Sequence, residues 1–223
     1  MYSIAHDVLG AVIEVVSGMR FGEYMKKTIF DVCGMKDTAF RYKSDPLEDD
    51  RFCTQYVFTP ENGFIPLVLQ DGPIDRYTLN VPYVLGSAYE SGGAGLTSTL
   101  EDYCRFQQGL IGGKILKPET LALMQTPHLN EDEHKAFNAS RRIKDKHTFG
   151  LGVQVVWPEG DIAVPMFGWG GAAGVRLMMD SVNQITLCYA EHVLWIGSSK
   201  SEALRSEIHR AAYEDLGFEW YKK

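Results

Sequence analysis

Apolar side chains recur at helical spacing through the first part of the chain. Val8, Leu9, Val12, Ile13, Val15 and Val16 crowd residues 5–17. Apolar surface that broad predicts a helix buried on more than one side, with Gly18 as its stop. Phe21, Tyr24, Met25, Ile29 and Val32 predict a second helix, closed by Gly34. Between Arg51 and Val68 the pattern changes. Tyr56-Val57-Phe58 and Phe64-Ile65-Pro66-Leu67 flank the turn residues Pro60-Glu61-Asn62-Gly63 and predict a hairpin.

Gly92-Gly93-Ala94-Gly95-Leu96 is a flexible loop leading into another helix. Ser98 followed three residues later by Glu101 is a capping box, and Leu100, Tyr103, Phe106 and Leu110 supply a buried stripe. Gly112-Gly113 ends it, and Pro118 opens a short helix through Met124, where its missing N–H costs nothing. From Thr148 the period drops toward two: residues 149–157, 174–179 and 184–191 predict strands, with gaps too short for anything but antiparallel pairing. A last helix is expected over residues 200–216, with Ser199 and Glu202 as capping box and Gly217 as stop. The order is helices and loops, then a β-meander, then a covering helix, which is an α+β fold. It predicts one domain over residues 1–223, helical and loop-rich to 147, with sheet strands and the C-terminal helix in 148–223.

Bulk composition narrows the partners. At 223 residues and 45% hydrophobic residues the chain can bury one sizeable core. Its net charge of −7 and lack of a Lys/Arg stripe argue against nucleic acid. The basic run 141–146 follows Glu131-Asp132-Glu133 and reads as a solvated loop or surface turn. Cys33, Cys53, Cys104 and Cys188 show no zinc-like spacing, and Cys104 and Cys188 read as buried thiols in apolar stretches. No metal or organic cofactor is implied. No apolar run reaches the roughly 18 residues of a membrane helix. No leader is legible, and the compartment stays open with a slight lean to the cytoplasm.

Self-sufficient catalytic motifs are few. GxSxG, HExxH, a P-loop and an EF-hand are all missing. Gly168-Trp169-Gly170-Gly171-Ala172-Ala173 matches GxGxxA, but a dinucleotide site needs a helix next. Here Val175-Arg176-Leu177-Met178-Met179-Asp180 reads as a strand. His6 and His192 read as structural or surface residues, and the sequon Asn138-Ala139-Ser140 carries no weight.

Three blocks in order carry a family likeness. The first is Tyr2-Ser3-Ile4-Ala5-His6-Asp7-Val8-Leu9-Gly10, continuing through Ile13-Glu14-Val15-Val16-Ser17-Gly18 to Gly34-Met35-Lys36-Asp37-Thr38. The second is Gly92-Gly93-Ala94-Gly95-Leu96-Thr97-Ser98-Thr99-Leu100-Glu101-Asp102-Tyr103, and the third is Phe167-Gly168-Trp169-Gly170-Gly171-Ala172-Ala173-Gly174. Together they resemble the serine β-lactamase and penicillin-binding-protein superfamily, in particular its class C-like esterases, over essentially the whole chain. The resemblance implies a β-lactamase/transpeptidase-like fold and hydrolysis through an acyl-enzyme. In that family a serine and a lysine three apart form the nucleophile pair, a tyrosine shares proton transfer with the lysine, and a glycine-rich strand supplies a third motif.

By resemblance Tyr2 is the proton-transfer tyrosine; the plainer alternative is a core aromatic. A phenol with a pKa of about 10 becomes a useful base only beside cations that favour its anion. Trp169-Gly170-Gly171 stands in place of the family's Lys-Thr-Gly strand, and the backbone N–H of Ala172 falls in the oxyanion hole. Glycines there let an acyl group approach the strand closely; a bulge or strand bend would explain the glycines alone. Ile4 stands where an amide side chain would bind an acylamide, and Trp169 where a cation would meet a β-lactam carboxylate. Both departures favour ester-like, less anionic substrates.

No serine or threonine has a lysine three positions later. The resemblance therefore implies an incomplete site, its nucleophile coming from an N-terminal segment, with a sheet edge and a helix surface left open. Two classes of function follow. One is part of a serine hydrolase acting on a small ester or acyl substrate, completed by a complementary N-terminal polypeptide, with a homodimer as the other way to cover the open surface. The other is a non-catalytic relative that only binds acyl or peptidoglycan-like ligands.

Overall fold

The computed structural model describes residues 4–40, 53–66, 90–93, 95–141, 147–156, 165–171, 174–195 and 200–218. The chain divides into two compact units, Met1–Phe106 with His192–Ser198, and Gln107–Glu191 with Ser199–Lys223.

The first unit opens with α1 (Ala5–Ser17), stopped by Gly18 in the left-handed conformation. α2 (Phe21–Met25) runs through a π-helical turn (Lys26–Phe30) into α3 (Asp31–Cys33), which ends on the left-handed Gly34. Phe21, Phe30, Cys33 and Met35 are buried along this segment. β1 (Ala39–Phe40) pairs antiparallel with β4 (Leu96–Thr97). The expected hairpin forms as β2 (Tyr56–Thr59) and β3 (Gly63–Pro66), with Gly63 at positive φ. β10 (Val193–Trp195), near the end of the chain, joins β2 in parallel.

α1 is not the many-sided buried helix its apolar breadth predicts. Gly10 is its buried residue, against the ring of Phe21, whereas Val8, Leu9, Val12, Val15 and Val16 are exposed. The hydrogen bonds to the rest of the unit come from polar residues instead: Phe21 N donates to Glu14 Oε1 at 2.9 Å and Ser91 Oγ to Asp7 Oδ1 at 2.7 Å.

α4 (Leu100–Ile111) crosses the division between the units. Its start differs from the expected capping box. Thr99 Oγ1 accepts the N–H of Asp102 at 3.2 Å, the side chain of Glu101 pairs with Arg105, and Ser98 Oγ lies 2.7 Å from Thr38 Oγ1. Three neighbouring hydroxyls can all cap here, and tertiary partners claim Ser98, leaving Thr99 to accept the third helical N–H.

In the second unit α5 (Pro118–Gln125) begins on proline as expected. α6 (Glu131–Arg141) is a helix the sequence pattern did not predict, and it takes in the first residue of the basic run, whose other residues, 142–146, lie outside the described residues. Asn130 and Glu133 form its capping box, with Glu133 N to Asn130 Oδ1 at 2.9 Å and Asn130 N to Glu133 Oε2 at 3.0 Å. The acidic run 131–133 is thus a first helical turn, where negative charge meets the positive end of the helix dipole. Asn138 of the sequon is buried, with Nδ2 3.0 Å from His134 Nε2.

The sheet is an antiparallel meander in the order β5 (His147–Phe149), β6 (Gln154–Val156), β7 (Met166–Gly170), β8 (Arg176–Asp180), β9 (Ile185–Tyr189). The single strand expected over 149–157 is two strands. Gly150 N bonds Val153 O at 2.9 Å, Gly152 takes positive φ, and a Cβ on Gly150 would strike the carbonyl of Met124. The two-residue alternation holds on either side of that turn, so period alone does not reveal it. Val156, Met166, Met178 and Ile185 pack with Tyr213 of α7 (Lys200–Asp215) as one core. Val155, Phe167 and Met179, of opposite parity, are buried on the other face. Gly217 stops α7 as expected, while Ser199 of its expected capping box lies outside the described residues. Cys104 and Cys188 are half-buried rather than buried.

Candidate active site

Each unit holds part of the residue set singled out in the sequence. In the first, Ile4 is the N-cap of α1; its carbonyl accepts Val8 N at 3.0 Å and its side chain is exposed. Tyr2 lies outside the described residues. The glycine-rich second block sits against this end of the helix. Ser91 bonds Asp7, Gly93 N donates to Ser91 Oγ at 3.1 Å, and a Cβ on Gly92 would strike the backbone carbonyl of His6. Gly22 N donates to Glu90 Oε2 at 2.6 Å, and a Cβ on Gly95 would meet the Phe40 ring at 2.8 Å. Close approach of backbone and ring therefore demands glycine at 92 and 95, and Ser91 and Gly92 sit against the first turn of α1.

The same block is fastened to residues 34–38 by one carboxylate. Asp102, almost fully buried, accepts Lys36 N at 3.2 Å and Arg105 Nη1 at 3.3 Å on Oδ1. On Oδ2 it accepts Asp37 N at 2.7 Å and Thr38 Oγ1 at 2.8 Å. Arg105 Nη1 also reaches the carbonyl of Gly34 at 3.1 Å. Burial alone would raise the Asp102 pKa, but the Thr38 hydroxyl, the Asp37 and Lys36 N–H groups and the Arg105 charge outweigh it and hold the carboxyl below its ordinary value. Sequence reasoning passed over Asp102, although Thr99-x-x-Asp102-x-x-Arg105 places cap, carboxylate and cation at successive helical turns.

In the second unit Trp169 and Gly170 end β7, opposite Leu177 and Arg176 of β8. Gly171 N bonds Val175 O at 2.7 Å and Gly174 N bonds Gly171 O at 3.1 Å, closing the turn between the strands. Ala172 lies outside the described residues. The strand that follows the glycines rules out the dinucleotide geometry, as the sequence suggested. A Cβ on Gly168 would collide with the carbonyl of Leu177, and one on Gly174 with the side chain of Glu191. The half-buried Trp169 indole is braced by aromatic neighbours: Phe149 meets it edge-on at 5.4 Å, and Phe137 of α6 stands 5.6 Å from Phe149. Phe137 was not singled out in the sequence, because only the fold brings α6 beside β5.

Two titratable groups of α7 are strongly perturbed. Burial, reinforced by the Arg176 charge, lowers the His209 pKa to about 4, so it is neutral at pH 7. Burial and the Asp180 carboxylate hold the Tyr213 phenol protonated, and its OH donates to Asp180 Oδ2 at 3.0 Å. No group of three His, Cys, Asp or Glu among the described residues could hold a metal ion. No helix among them is long and apolar enough to cross a membrane.

Comparison with known proteins fixes the class. The architecture is the α+β fold of serine β-lactamases and penicillin-binding proteins. EstCE1, described as a hydrolase with promiscuous acyltransferase activity, superposes with a TM-score of 0.68 at 26% identity, over 89% of this chain and 52% of that one. The Beta-lactamase family profile matches residues 1–192, and the chain belongs to that family. Esterase EstB of Burkholderia gladioli is 30% identical over 128 residues, 54% of this chain and 31% of EstB. Protein Rv1367c of Mycobacterium tuberculosis is 27% identical over 202 residues, 84% of this chain and 47% of its own. The chain thus spans about half the length, or less, of the curated relatives it matches.

Proposed function

We propose that this chain is part of a serine hydrolase that opens ester bonds through an acyl-enzyme. A serine and lysine of a complementary segment would supply the nucleophile. Tyr2 takes the serine proton with the lysine's help and later returns it to the leaving alcohol. The Ala172 N–H donates to the oxyanion of the tetrahedral intermediate. Trp169, with Gly170 and Gly171, offers an apolar wall and an open backbone to the acyl or alcohol group, and Ile4 gives an acylamide no hydrogen bond.

The observation that carries this reading is Trp169 held against Phe149 at the end of a glycine strand, in a chain similar to an esterase and an acyl-transferring hydrolase. An aromatic wall suits an uncharged acyl chain and gives a β-lactam carboxylate no cation. The test is a panel of p-nitrophenyl esters against a cephalosporin, using material purified from its own cells. Short-chain esters are expected to turn over, and Tyr2→Phe should lower kcat by roughly a hundredfold or more. Turnover of the cephalosporin alone, or fluorophosphonate labelling of a serine in residues 1–223, would overturn the proposal. A binding-only role has one observation in its favour, the lack of a Ser-x-x-Lys motif in this sequence. It predicts no ester turnover even with the complementary segment bound.

A further inference from the structure

α6 is polar along nearly its whole length. Of its 11 residues Phe137 is the one large apolar side chain. Glu131, Asp132, Glu133, Lys135, Ala136 and Ala139 are exposed, so the helix adds little apolar surface to the core of its unit. It turns a single face inward, made by His134, Phe137 and Asn138 at spacings of three and four. The carbonyl of His147, the first residue of β5, accepts His134 Nε2 at 2.7 Å, and the buried Asn138 places Nδ2 3.0 Å from the same nitrogen. These polar contacts, on either side of Phe137, pin α6 to the sheet. The Phe137 ring then stands 5.6 Å from that of Phe149, and Phe149 meets the Trp169 indole at 5.4 Å with the ring planes 81° apart. α6, β5 and β7 all belong to the second unit.

We propose that Phe137 is a specificity-determining positioning residue: through Phe149 it holds the Trp169 indole in place and so limits the ester site to short acyl groups. The inference rests on the reading of Trp169 as the apolar wall of that site. Trp169 is half-buried at the end of β7, and Gly170 and Gly171 beyond it carry no side chains to restrain an indole. Its orientation is therefore set by rings from other elements, and an edge-on neighbour fixes a ring plane as well as a position. Phe149 in turn keeps its place only while something fills the space behind it, and the ring that α6 supplies is Phe137. Truncating Phe137 opens that space, Phe149 settles into it, and the indole follows, because packed side chains relax toward a void. The wall recedes and the site deepens. Each methylene seated on an apolar wall is worth about fourfold in binding, so room for two more changes the preference by more than roughly tenfold. A helix that merely stabilised the unit would, when weakened, lower turnover of long and short esters alike.

The test uses the protein purified from its own cells, with p-nitrophenyl acetate and hexanoate as substrates. Phe137→Ala should raise the hexanoate-to-acetate ratio of kcat/KM at least tenfold, through a lower KM for the hexanoate, and the milder Phe137→Leu should raise it less. Lys135→Ala, on the exposed side of the same helix, should leave the ratio unchanged. In a Phe149→Ala background the Phe137 substitution should add nothing, because the relay is already cut. Incorporated 5-fluorotryptophan, with the Trp169 resonance assigned by its loss in Trp169→Phe, should show that resonance shifted in Phe137→Ala. The uncleavable p-nitrophenyl hexyl and ethyl ethers, titrated against the same resonance, separate this inference from the hydrolase reading. Absence of ester turnover, with the hexyl ether gaining at least tenfold over the ethyl ether in Phe137→Ala, removes the hydrolase and keeps the role of Phe137. Unchanged ratios, an equal loss on both chain lengths, the same shift in Lys135→Ala, or additive effects of Phe137→Ala and Phe149→Ala overturn the proposal.

Discussion

Replacing Asp102 by asparagine changes the size of the side chain little but removes half of its accepting capacity. The carboxylate takes four donors, two on each oxygen: Lys36 N and Arg105 Nη1, Asp37 N and Thr38 Oγ1. An amide presents one oxygen and one NH₂ group, so at least one backbone N–H of residues 36–37 faces another donor whichever way the amide is turned. Hydrogen bonds to a charged group contribute about 1.5–3 kcal/mol each, and a stranded buried donor costs about 1–3 kcal/mol. Allowing for non-additivity, Asp102→Asn should cost roughly 3–4 kcal/mol, or a fall in Tm of roughly 6–16 °C for a chain of this size. Urea unfolding followed by far-UV circular dichroism at pH 7 reads the difference. The pH dependence adds a second check. Because the folded carboxyl sits below its ordinary value of 3.8, its stabilisation is complete above that value and is lost as pH falls through the lowered one. The gap between wild type and Asp102→Asn should therefore be constant above about pH 5 and shrink below pH 4. A gap under about 0.5 kcal/mol at pH 7, or one undiminished in acid, would refute the role given to Asp102.

Two further outcomes follow from the second unit. His209 has an ordinary value of 6.5 lowered to about 4 in the folded state, so the unfolded chain takes up the proton first and stability falls as pH drops between those values. At about 1.4 kcal/mol per unit the loss reaches roughly 3 kcal/mol. His209→Gln should flatten that part of an acid-unfolding curve monitored by tryptophan fluorescence, and an unchanged curve would exclude the residue as its source. Gly168→Ala should separate β7 from β8, because the added methyl meets the carbonyl of Leu177. A loss of soluble protein is expected, or destabilisation beyond about 3 kcal/mol in urea, whereas Gly93→Ala, with only Ser91 Oγ nearby at 3.7 Å, should be tolerated.

Local order set much of what could be seen without coordinates. Helix stops at Gly18, Gly34 and Gly217, the proline start of α5 and the 56–66 hairpin depend on the φ preferences of single residues or on neighbours a few positions apart. Those preferences are written in the sequence, and so is the antiparallel order of strands joined by short connections. The three blocks that carry the family likeness were legible for the same reason, since each is built from contiguous runs. What only the tertiary structure decided are matters of which surfaces meet. It chose Thr99 over Ser98 as the cap by giving Ser98 to Thr38, and it broke residues 147–156 into two strands by bringing Met124 against Gly150. It joined blocks 34–38 and 92–103 through Asp102 and set Phe149 beside Trp169. The sense of α1 was the least legible feature. Its apolar breadth predicts a helix buried on several sides, whereas the side that packs on its unit carries Gly10, Asp7 and Glu14; periodicity marks an apolar face but not which face its neighbours meet.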